Sequence, residues 1–81
     1  MNTINDVIVE KLLIFMDKQN LTQYKLAMNS GLPFATIKSI MQRRTKSIDL
    51  KTVILLASGL GIHASELISG EQFLAENLDL E

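Results

Sequence analysis

The sequence predicts an all-α fold of five short helices around one core. Three observations predict it. Apolar residues recur at spacings of three and four along most of the chain, and no period-two apolar run bounded by turn residues marks a strand. The chain has 81 residues, 47% of them hydrophobic, which suits one domain whose small core is either efficient or shared with a second subunit. Cysteine is absent, which excludes a disulfide framework, a thiolate metal site and a cysteine nucleophile, and fits a reducing, cytoplasmic setting. The apolar run over residues 53–62 falls short of the roughly 20 residues that cross a bilayer, and a start carrying Asp6 and Glu10 is unlike a signal peptide. No second domain and no membrane association are expected.

The elements follow in order. Thr3 with Asp6 resembles a capping box, and Ile8, Leu12, Phe15 with Val9, Leu13, Met16 mark one broad face of helix one, ending near Lys18 to Asn20. Thr22 caps a short helix two that runs to about Asn29 with Leu26 and Ala27 inward, and Gly31 supplies a left-handed turn. Pro33 suits the first turn of helix three, which runs to about Gln42. Ile37 and Ile40 face inward, and Phe34, Ala35, Lys38, Ser39 and Gln42 face the other way. Asp49 caps helix four, where Leu50, Val53, Ile54 and Ala57 follow an i, i+3, i+4, i+7 pattern until Gly59 and Gly61 end it. A fifth helix spans about Ala64 to Ile68. Residues 1–70 are thus one domain, and residues 71–81 form an extension whose Phe73, Leu74, Leu78 and Leu80 allow a short helix or an arm, a candidate for dimerisation.

Catalysis finds little to work with. One histidine, one tyrosine, no cysteine and carboxylates on exposed helix surface assemble neither a triad nor a metal cluster, so no enzyme activity, cofactor or metal is expected. His63 at the start of helix five is expected to cap backbone donors. Gly59 and Gly61 do not follow a strand at phosphate-loop spacing. Charge is more informative, because the net −1 hides a segregation: residues 1–20 carry −1, residues 21–52 carry +5 and residues 53–81 carry −5. Such a basic middle presents a positive face to phosphate, or is merely a solvated helix surface.

Two short helices joined by a tight turn, the second with an exposed mixed face inside a basic segment, are what a helix-turn-helix reader requires. The residues Leu21-Thr22-Gln23, Leu26-Ala27, Gly31-Leu32, Ile37, Ile40, Leu50, Val53, Ala57, Leu60-Gly61-Ile62 and Leu67 carry the match. Over about residues 6–69 the chain resembles the Cro/CI-type, or XRE-type, helix-turn-helix family of bacterial and phage regulators. The resemblance implies a lambda-repressor-like domain with the helix-turn-helix at helices two and three, a symmetric homodimer, and double-stranded DNA as partner. It places Gln23 on phosphate, Phe34, Ala35, Thr36, Lys38 and Ser39 at base edges or adjacent backbone, and Gln42, Arg43, Arg44, Thr45 and Lys46 on backbone beyond helix three. Each has a plainer reading: Gln23 as a polar helix start, Phe34 folded onto Tyr24, and the basic turn as solubilising charge. At the bases, Phe34 or Ala35 offers apolar contact to a thymine methyl, while Lys38 and Ser39 offer hydrogen bonds.

Three departures from the family pattern stand out. Arg43 occupies a position where glycine is common, so the helix end cannot rely on a free left-handed residue there, and a differently shaped loop over residues 43–48 or a longer helix is expected. Met16 and Met41 replace an arginine and glutamate that the family often buries together, a paired loss consistent with apolar repacking. Leu55 stands where a polar outward residue is usual. The function expected is a sequence-specific transcriptional regulator, more readily a repressor than an activator. The alternative is a protein-interaction module, an antitoxin or adaptor with a partner such as a toxin, using the acidic, leucine-bearing C-terminus.

Overall fold

Helix formation begins where the capping box predicts. In a computed structural model, which describes residues 2–80, a two-residue strand β1 (Asn2–Thr3) leads into α1 (Ile4–Gln19). The Thr3 hydroxyl accepts the Asp6 N–H, and the Asp6 carboxylate accepts the Thr3 N–H, each at 3.1 Å. Then come α2 (Gln23–Ser30), α3 (Phe34–Met41), α4 (Leu50–Leu60) and α5 (Ser65–Ile68). Thr22 and Asp49 cap α2 and α4 by accepting N–H bonds from Lys25 and Thr52. Gly31 and Gly61 close the same two helices in the left-handed conformation, at φ 77° and 71°.

The core joins all five helices. Ile8, Val9, Leu12 and Met16 of α1 meet Leu26 and Ala27, Ile37 and Ile40, Val53, Leu56, Ala57 and Leu60, and Leu67. Met41 packs partly buried against this cluster, of which Met16 is a member, so the apolar replacement of both family charges has an apolar setting. Leu55 is partly buried rather than outward.

Several expectations are corrected. Leu13 is exposed while Val7 is buried, because α1 turns a second strip toward the C-terminal segment. In α4, Leu50 and Ile54 are exposed and Leu56 and Leu60 are buried; the helix is apolar on several sides, so more than one phase satisfies a helical template. Pro33 sits one position before α3 rather than inside its first turn. His63 does not cap α5; its own backbone N–H donates to the Glu66 carboxylate at 2.9 Å. Residues 71–80 contain no α-helix. They make two 3-10 turns, Glu71–Phe73 and Ala75–Asn77, and then β2 (Leu78–Asp79), which pairs in parallel with β1. Phe73 packs on the core and Leu78 is buried, and both β1 and the turn Glu71–Phe73 contact α1.

Gly59 does not end α4. It lies buried within the helix, where α4 crosses α2 so closely that a Cβ would stand 2.9 Å from Ser30 Cβ and 3.0 Å from its backbone nitrogen. Ser30 fills its own buried place by donating to the Ala27 carbonyl and accepting from the Leu32 N–H. Alanine gains about 1 kcal/mol over glycine in helix propensity, but backbone atoms cannot yield as a flexible side chain would. Gly59→Ala should therefore lose roughly 1–2 kcal/mol net in urea denaturation. Wild-type stability or better in that variant would mean the crossing is looser than described.

Candidate nucleic-acid interface

α2 and α3 pack against each other across the turn over residues 31–33. Along α3, Phe34, Ala35 and Lys38 are exposed at the i, i+1, i+4 spacing, and Gln42 continues the stripe one turn on. Thr36 and Ser39 flank it, partly buried. Ile37 and Ile40 anchor the opposite side in the core, so the outward set is fixed by which residues are apolar. Gln23, the first residue of α2, is partly buried beside the Thr22 cap.

Phe34 is not isolated. The residue is 43% exposed, and its ring meets that of Tyr24 on α2 edge to face, with centroids 6.0 Å apart and planes at 63°. The plainer reading of this residue therefore has a physical basis, since an edge-to-face pair restrains both rings. Both nevertheless keep exposed surface, as do Lys25 and Lys38, the next residue on α2 and the residue one turn along α3.

Beyond α3 the structure overturns one expectation. Arg43, although not glycine, takes the left-handed conformation at φ 57°. The Arg43 N–H donates to Ile40 and the Arg44 N–H to Ser39, the paired bonds of a Schellman turn, so α3 ends as it would with glycine. A side chain there costs on the order of 1 kcal/mol. An ion pair offsets part of it: Arg43 Nε donates to Asp6 Oδ1 on the first turn of α1 at 3.1 Å. Asn5 Nδ2, on the same turn, donates to the carbonyls of Thr45 and Lys46 at 2.8 and 3.0 Å. Thus Arg43 is drawn toward α1, while Arg44 and Lys46 are exposed and Thr45 is partly buried.

Sequence reasoning missed Asn5 and saw in Asp6 only a cap. A polar pair in the first turn of a helix carries no local sign of a partner about 40 residues away. Asp6 holds its carboxyl below the usual carboxylate range, chiefly through the Thr3 backbone N–H, then the Thr3 hydroxyl and Arg43. Asp49 is lowered likewise by its bonds with the Thr52 side chain and N–H. Among the described residues no group of three His, Asp or Glu side chains could hold a metal ion, and no helix is long and apolar enough to cross a membrane.

A family model described as helix-turn-helix matches residues 12–67, a span that contains all of α2, α3 and α4 and every base or phosphate candidate. No curated protein and no solved structure matches the chain significantly.

Because Asp6 and Asp49 have depressed pKa values in the folded state, their contribution is present above the unfolded value near 3.8 and is lost as pH falls through the folded values. The Tm should therefore decline as pH drops from about 5 to 2. In the Asp6→Asn, Asp49→Asn double variant, which keeps cap acceptors without the charge, that decline should be shallower. Superimposable profiles for the two proteins would remove these carboxylates from the account.

Proposed function

Because the chain belongs to the Cro/CI-type (XRE-type) helix-turn-helix family of DNA-binding regulators, we propose that it is a sequence-specific transcriptional repressor that reads the major groove with α3. One observation carries this reading: the exposed stripe of Phe34, Ala35, Lys38 and Gln42 lies within the +5 segment, beside Lys25, Arg44 and Lys46. Lys38 and Ser39 hydrogen-bond base edges, Phe34 and Ala35 contact thymine methyls, and Thr36 supports the adjacent backbone. Gln23, Gln42, Arg44, Thr45 and Lys46 engage phosphate; Arg43 does so only from its position beside Asp6. The protein acts in the cytoplasm without enzymatic activity or cofactor, since occupancy of a promoter is enough to repress.

It binds as a two-fold homodimer. Ile54 of α4, Ile68 of α5, and Leu74 and Leu80 beyond it are exposed apolar side chains outside the basic segment, with Leu50 at its edge, and isologous pairing is the commonest way to cover such a surface. The same exposed leucines, set in an acidic C-terminal third, favour a second reading, an antitoxin-like or adaptor module holding a protein partner such as a toxin.

Fluorescence anisotropy on a duplex selected from random DNA and on a mixed-sequence duplex separates these roles. Alanine at Lys38 or Ser39 should cost roughly 1–3 kcal/mol on the selected duplex and far less on mixed sequence. Alanine at Gln23, Arg44 or Lys46 should weaken both about equally, and loss of a cation should flatten the log–log salt dependence by about one. Unchanged discrimination in the Lys38 and Ser39 variants rules out α3 as the reader, and no binding by wild type at low salt favours the interaction module.

A further inference from the structure

The loop over residues 42–49 contains no glycine or proline to shape it, yet it carries Arg44 and Lys46. Its form is imposed from outside, by the first turn of α1. The Asn5 amide nitrogen donates to two successive carbonyls, those of Thr45 and Lys46. Both peptides are trans, so each N–H points opposite to its carbonyl. With the Thr45 and Lys46 oxygens turned toward α1, the N–H groups of Lys46 and Ser47 are turned away from it. Neither N–H has a hydrogen-bond partner among the described residues, and both residues are exposed. Two adjacent outward N–H donors next to a lysine side chain are suited to one anionic oxygen cluster.

We propose that Asn5 is a positioning residue for DNA binding: by holding the Thr45 and Lys46 carbonyls it presents the Lys46 and Ser47 N–H groups, together with the Lys46 ammonium, to a single backbone phosphate. This rests on the reading that the loop meets the DNA backbone, and it adds a contact by Ser47 and a role for α1 that the sequence did not suggest. Asp6 is the second fixed point, since its bond to Arg43 Nε holds the turn from which the loop departs. Asn5 itself touches no DNA. Its influence travels through two hydrogen bonds to main chain.

A double-mutant cycle tests the proposal on the full chain, with anisotropy on a fluorescein-labelled mixed-sequence duplex at a temperature where circular dichroism shows every variant folded. Asn5→Ala should weaken binding about three- to tenfold, the range of one lost hydrogen-bonded contact. Lys46→Ala should cost clearly less in the Asn5→Ala background than in wild type, because the loop no longer presents that lysine. Gln23→Ala, at the start of α2 and with no hydrogen bond to Asn5 or the loop, should multiply with Asn5→Ala. A folded Asn5→Ala protein with wild-type affinity, or Asn5 and Lys46 losses that simply multiply, would overturn the positioning role while leaving the loop as a phosphate contact. If Lys46→Ala alone leaves affinity unchanged, the loop does not meet the backbone, and the underlying reading fails first.

Discussion

An eight-residue helix has no stability of its own in water, so everything proposed for α3 depends on the burial of Ile37 and Ile40. These two side chains hold α3 to a core built by α1, α2 and α4, and by doing so fix which residues face outward. α2 and α4 cross in contact where Gly59 lies against Ser30, which holds α2 in place. The turn around Gly31 then delivers α3 to one side of that pair. The candidate face is thus a by-product of where the apolar residues must go.

Electrostatics adds direction to that geometry. Lys25, Lys38, Arg43, Arg44, Lys46 and Lys51 are exposed within one segment, whereas the last 29 residues contain five acids and no lysine or arginine. A chain of net −1 can therefore present a positive surface locally. Arg43 is the exception within the set. Its Nε is committed to Asp6, which trades part of its charge toward phosphate for a turn shape that glycine would give at no steric cost.

What the sequence made legible was local. Thr3, Thr22 and Asp49 named the helix starts, Gly31 and Gly61 two of the ends, and Ile37 with Ile40 the buried side of α3, because caps and helical periodicity are properties of neighbours in the chain. The phase of α4 was not legible, since Leu50, Ile54, Leu56 and Leu60 all satisfy some apolar stripe until α2 selects one. Gly59 looked like a breaker beside Gly61, and only the crossing distance to Ser30 shows why a helix interior needs it. Arg43 misled in the opposite direction. The absence of glycine argued against a left-handed end, but two backbone bonds and an ion pair across 37 residues of sequence sustain one. Asn5 and the β1–β2 pairing were invisible for the same reason: their partners come from the other end of the site or of the chain. The candidate face on α3 was legible as a set of outward residues, while the support beneath its following loop was not.

In the proposed function, α3 and its symmetry mate read a defined DNA sequence. Selection of binding sites from random duplex DNA with the purified protein tests it most directly. The account predicts enrichment of an inverted repeat whose half-sites lie about one helical turn, 34–36 Å, apart, as two recognition helices of a two-fold dimer require. Repeated rounds that enrich no common sequence would contradict it.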